Sequence, residues 1–216
     1  MGLATLADGD TVCGGMGPDL MLSVVIATEN AERILVPTLA ALVPGALAGL
    51  VSEVIIADLG STDATAQIAE EAGCKFLQVT SKGAGLYAAA KAARAGWLMF
   101  LEPGTVPNAI WVDEVGRFIE AVQAGGTMKT KAAVFRRTTS VGSNLPLMRE
   151  AICFIASLLG ALPHPAQGLL VSKVLYDELG GHSAEQTDPE RAMLRRVGRR
   201  RIVALRSGAV ALSGAR

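Results

Sequence analysis

Four positions place a polar or charged side chain just after a short apolar run: Thr28 with Glu29, Asp58, Lys82 and Glu102. A carboxylate or carbonyl suits the edge of a nucleobase or a ribose, and an ammonium suits a phosphate. Taken singly, such residues end strands because loops are wet. Taken together, they are the types that a nucleotide site requires, provided the fold brings them to one edge.

The elements that would do so can be read from periodicity. Leu22–Ala27 (LSVVIA), the run Val54–Ile56 leading to Asp58, Lys75–Val79 and Trp97–Leu101 (WLMFL) are short, apolar and rich in β-branched or large residues. Such runs mark strands covered on both faces. Helical stretches alternate with them: 31–42, where Pro37 is expected to kink the helix and Pro44–Gly45 to break it, then 62–72, 84–95 and 107–123. Gly60 permits a sharp turn after Asp58, Ser61 suits a helix N-cap, and Asp63 suits the first helical turn. Strands alternating with helices at this spacing predict crossover connections and a parallel sheet, so the four polar strand ends share its carboxyl edge. The second half is less regular. Strands are expected over 132–135, 168–171 and 201–205, and helices over 147–159, 172–179 and 188–197.

At 216 residues, half of them hydrophobic, the chain is long enough for one domain with a sizeable core, assigned to 21–216, and the Gly-rich residues 1–20 read as a disordered tail. Lys plus Arg equals Asp plus Glu at 20 each, so no global field recruits nucleic acid. Cys13, Cys74 and Cys153 are odd in number and widely spaced, which suits neither a zinc site nor a disulfide framework and favours a cytoplasmic setting. No apolar run reaches the ~20 residues of a membrane span. The longest, 151–163, reads as a buried helix, with peripheral membrane contact the alternative. Assembly into a homo-oligomer is left open.

The blocks LSVVIATEN, EVIIADLGSTDATAQIAEEAG, KGAGLYAAAKAARAGWLMFLEPGTV and LLVSKVLYDELGG cover most of Leu22 to Gly181. In order and spacing they resemble the family 2 glycosyltransferases. The resemblance implies an α/β fold of the nucleotide-diphospho-sugar transferase type, a Rossmann-like three-layer sandwich on a mostly parallel sheet. It also implies transfer of a sugar from a nucleotide-sugar donor to a hydroxyl acceptor, with inversion. By position, Thr28, Glu29, Asp58 and Ser61 fall among the nucleotide contacts, with Lys82 beside the phosphates. Glu102 matches the first acid of the Asp-x-Asp motif that holds a divalent cation, Mg²⁺ or Mn²⁺. Asp188, or its neighbour Glu185, falls near the Glu-Asp pair that supplies the general base.

The sequence also departs from that pattern. Leu59 replaces the second acid of the first block, Gly104 ends the degenerate Glu102–Pro103–Gly104 motif, and Ala88 stands where an Asn is common. The base motif reads Gln186–Thr187–Asp188 and matches only with a one-residue shift. These losses make a catalytically impaired nucleotide-binding or regulatory domain the second reading. A third comes from Gly83–Ala84–Gly85–Leu86–Tyr87–Ala88, which fits G-x-G-x-x-A and would suit an NAD-dependent oxidoreductase. The arginines in Leu194–Ile202 read as a solvated helix end or as a cationic rim, with Arg206 a further candidate. His164 reads as a loop residue, and His182 lies near the base helix.

Overall fold

The computed structural model describes residues 21–138 and 163–212. The N-terminal tail and the helix expected over 147–159 lie outside the described residues. The first half follows the expected alternation: β1 (Leu22–Thr28), α1 (Glu32–Leu47), β2 (Val51–Asp58), α2 (Thr65–Glu71), β3 (Lys75–Gln78), α3 (Lys82–Ala92) and β4 (Trp97–Leu101). Next come β5 (Thr105–Pro107), α4 (Trp111–Ala124), β6 (Ala132–Thr138) and a single 3₁₀ turn, Pro165–Gln167. The described chain closes with β7 (Leu169–Ser172), α5 (Lys173–Glu178), α6 (Pro189–Val197), a second 3₁₀ turn at Arg199–Arg201, and β8 (Ile202–Ala211).

These strands form one sheet in the order β3-β2-β1-β4-β7-β6-β8-β5. The β1–β2, β1–β4, β2–β3 and β6–β8 pairs are parallel, and β7 enters antiparallel between β4 and β6. Side chains of β1 alternate between two cores, as a strand buried on both faces requires. Leu22, Val24 and Ile26 join α1, α2 and α4 on one side, while Val25 and Ala27 join α3, α5 and α6 on the other. The result is the expected three-layer α/β sandwich. Among the described residues no helix is long and apolar enough to cross a membrane.

Three local expectations are corrected. Helix α1 does not break at Pro44–Gly45 but runs on to Leu47. Tertiary packing overrides the breakers there: a Cβ on Gly45 would meet the Trp111 ring at 2.5 Å, and Trp111 Nε1 donates to the Ala41 carbonyl at 3.0 Å. Ser61 does not cap α2, which starts only at Thr65, because its hydroxyl is committed to Asp58. Strand β8 is twice the expected length, and β5, which pairs with its far end, was not foreseen. Glu114, in the first turn of α4, receives the Arg206 and Ser207 backbone N–H groups and so holds an irregular point of β8.

Candidate functional site

The parallel strands bring the expected residues to one edge. Thr28 and Asp58 end β1 and β2 as register partners, and Ile26 pairs with Leu101, the residue before Glu102. Asp58 and Glu102 therefore stand on the same edge, two strands apart, roughly 10 Å at ordinary strand spacing.

Asp58 is buried, and its carboxylate is fully engaged. The Thr28 hydroxyl donates to Oδ1 at 2.9 Å, and the Ser61 hydroxyl donates to the same oxygen at 2.5 Å. The Gly60 and Ser61 backbone N–H groups donate to Oδ2 at 3.0 and 2.8 Å. A carboxylate offers about four lone-pair sites, so none remains for a ligand. Burial pushes this carboxyl up, but the hydrogen bonds outweigh it and hold the group below the usual range. Asp58 thus shapes the loop. Ser61 Oγ in turn accepts the Asn30 N–H at 2.8 Å, and Asn30 Oδ1 accepts the Thr62 N–H at 2.9 Å. Asn30 sits at φ +49°, in a region that Asn tolerates better than most residues. Two strand-end loops are stitched together in this way, with Glu29 exposed on the outside.

The second part of the site is assembled over a longer range. Lys82, the first residue of α3, donates to Glu190 Oε2 at 2.5 Å and lies 3.9 Å from Glu102 Oε1. Glu190 comes from the first turn of α6, with only 10% of its side chain exposed, against 29% for Glu102 and 35% for Lys82. Burial pushes the Glu190 carboxyl up, Lys82 opposes that, Glu102 adds to it, and the outcome is about 7. A carboxyl titrating there suits proton transfer at neutral pH.

Glu190 was missed from sequence. One signal was present: it heads the stripe 190, 193, 194, 197, whose other members, Met193, Leu194 and Val197, are buried and apolar. A carboxylate on the buried face of a helix needs a partner. Asp188, the expected base, is instead the exposed N-cap of α6, with Oδ1 accepting the Arg191 N–H at 2.9 Å. Glu185 is exposed in the preceding loop.

That loop is pressed against α3. A Cβ on Gly83 would lie 2.0 Å from the Ser183 carbonyl, and one on Gly85 would lie 2.7 Å from Val79. The glycines of the G-x-G-x-x-A match thus sit inside a helix and allow close packing, rather than forming a phosphate turn before it. His182 is buried against Phe100 and Tyr176, with its Nδ1 3.0 Å from the Tyr176 hydroxyl. Burial, then the charges of Arg196 and Lys82, pull its imidazole down to about 3, so it is neutral. His164 caps the 3₁₀ turn through Nδ1, and Arg196 bonds the Leu179 carbonyl.

The set does not suit a hard divalent cation. Glu102 has one carboxylate for company, Glu190, and the Lys82 ammonium already stands beside both. Two residues on, Gly104 has φ +88°, and a Cβ there would meet the Leu212 carbonyl at 2.6 Å. Among the described residues no group of three or more His, Cys, Asp or Glu is arranged to hold a metal ion.

The family model for glycosyl transferase family 2 matches residues 23–140, more than half of the chain. The chain belongs to that family. The match spans both the Asp58 loop and the Lys82–Glu102 half of the second cluster, whereas Glu190 lies beyond it. Solved structures agree on the fold. The S. aureus TarS 1-349 structure in complex with UDP-GlcNAc is 17% identical with a TM-score of 0.63, the match covering 90% of this chain and 60% of that one. Glucosyl-3-phosphoglycerate synthase from Mycobacterium tuberculosis, in complex with Mn²⁺, UDP and glucosyl-3-phosphoglycerate, is 20% identical with a TM-score of 0.63, covering 90% of this chain and 73% of that one. This chain thus spans about 60% of the TarS 1-349 chain. No curated protein matches the sequence.

Proposed function

We propose that this family 2 domain transfers a sugar from a nucleoside diphosphate sugar to an acceptor hydroxyl, with inversion at the anomeric carbon. A UDP-sugar is favoured over a GDP-sugar, because both similar proteins named above were solved with a uridine nucleotide. The observation that carries the reading is the convergence of Lys82, Glu102 and Glu190, from three separate elements, beside the loop that Asp58 organises. Thr28, Asp58 and Ser61 fix the nucleoside-binding loops, with Glu29 at their exposed rim. Lys82 faces the diphosphate. Glu190, rather than Asp188, takes the acceptor proton; the acceptor oxygen then bonds to the anomeric carbon as the bond to the diphosphate oxygen breaks, its electron pair leaving with the diphosphate. Asp188 holds the helix that presents Glu190.

The test is donor turnover: UDP-sugars and GDP-sugars are incubated with the full chain and a panel of hydroxyl acceptors, and free nucleoside diphosphate is measured. Release that depends on acceptor and is lost in Glu190→Gln supports the reading. Nucleotide binding with no release from any donor favours the second reading, a binding domain on the same fold, for which the loss of the second acid at Gly104 speaks.

A further inference from the structure

We infer that the ammonium of Lys82 occupies the cation position at the diphosphate, so that donor binding by this chain requires no divalent metal. This rests on the proposed donor site and goes beyond it. A metal at a diphosphate has two tasks: it bridges the phosphate oxygens, and it offsets the charge that develops on the leaving group. Both need a positive charge held at the edge of the sheet by carboxylates. Lys82 is held in that way, by Glu190 at 2.5 Å and by Glu102 at 3.9 Å. Its side chain keeps 35% of its surface exposed, so the ammonium, which carries three donors, is not enclosed by the pair.

A divalent ion would have to share this space with that charge. Glu102 is the sole carboxylate its motif retains, and the backbone at Gly104 leaves no room for a second. Repulsion between an ammonium and a dication a few ångströms apart is large where water is partly excluded. Backbone packing also fixes the location of Lys82. It is the first residue of α3, whose next residue, Gly83, abuts the Ser183 carbonyl, and Gly85 abuts Val79, itself bonded to the Asp58 carbonyl at 2.8 Å. The ammonium is therefore tied to the same edge as the nucleoside loop, and the positive end of the α3 dipole adds to its pull on an anion.

The experiment is calorimetric titration of UDP, GDP and UMP into the full chain, once with excess EDTA and once with excess MnCl₂. The expected result is equal nucleoside diphosphate affinity in the two buffers. Lys82→Met is expected to weaken UDP at least about tenfold while changing UMP little, and Lys82→Arg to restore most of the loss. That loss of preference for UDP over UMP separates a phosphate contact from a general loss of structure, which would weaken both ligands alike. Thermal denaturation of each variant checks folding, and the wild-type comparison of buffers stands even where Lys82→Met does not fold. Diphosphate binding that appears only with MnCl₂ overturns the inference and leaves the proposed function intact. Binding of neither UDP nor GDP in either buffer overturns the proposed function, and this inference with it.

Discussion

Two carboxylates on the same edge of the sheet are treated in opposite ways. Asp58 receives four hydrogen bonds from Thr28, Gly60 and Ser61, and its proton affinity falls. Glu190 receives one ammonium from a residue 108 positions away, has a second carboxyl beside it, and its proton affinity rises to about 7. Both are buried. Burial alone therefore does not decide which carboxylate is available for chemistry. The number and type of donors facing it do, because hydrogen bonds to the charged form offset desolvation and also use up the lone pairs. Asp58 belongs to the architecture of the edge, and Glu190 is poised to exchange a proton there.

The largest effect that would break this contrast is on turnover. Glu190→Gln removes a base but keeps its shape, and transfer is expected to fall on the order of a thousandfold. In the wild type, the rate should climb as pH rises through about 7, since the carboxylate is the active form, and that limb should vanish in the variant. Retained transfer would place the base elsewhere.

Asp58→Ala is next. It orphans two backbone N–H groups and two hydroxyls, so a stability loss of about 3 kcal/mol and a fall in UDP affinity on the order of 100-fold are expected. Because Asp58 titrates below its ordinary value of 3.8, its contribution to stability is present above that pH and fades as the pH drops through the folded-state value. Asp58→Asn should therefore flatten the acid side of the stability curve, which denaturant titrations across pH would read. An unchanged curve would mean that the four hydrogen bonds carry no net stability.

Gly104→Asp restores the missing acid of its motif. At φ +88°, with the Leu212 carbonyl in the way, it should cost about 2 kcal/mol and confer no Mn²⁺ dependence on UDP binding. A stable variant that gains such dependence would show that the edge can still accommodate a metal. The smallest effect belongs to Asp188→Asn. Asn caps a helix about as well as Asp, so stability should move by no more than about 0.5 kcal/mol and turnover should hold. A collapse of turnover without unfolding would return the role of base to Asp188.

Much of this edge was legible in the sequence, and the reason is local. Apolar runs of four to eight residues punctuated by glycine identify buried strands, and once β1 to β4 are parallel, the residues that follow them must share an edge. What failed locally failed where distant packing intervened: α1 continues past Pro44 where Trp111 and Val51 pack on Gly45, and Ser61 abandons a cap for Asp58.

The sequence by itself determined the four parallel strands, the polar residue at each exit and the family to which the chain belongs, since each depends on patterns a few residues long. Only the tertiary structure decided that Asp58 is saturated and that Glu190 meets Lys82 beside Glu102. The ends of β4, α3 and α6 are far apart in the chain, and desolvation, which sets the properties of such a cluster, exists only once the layers close around it.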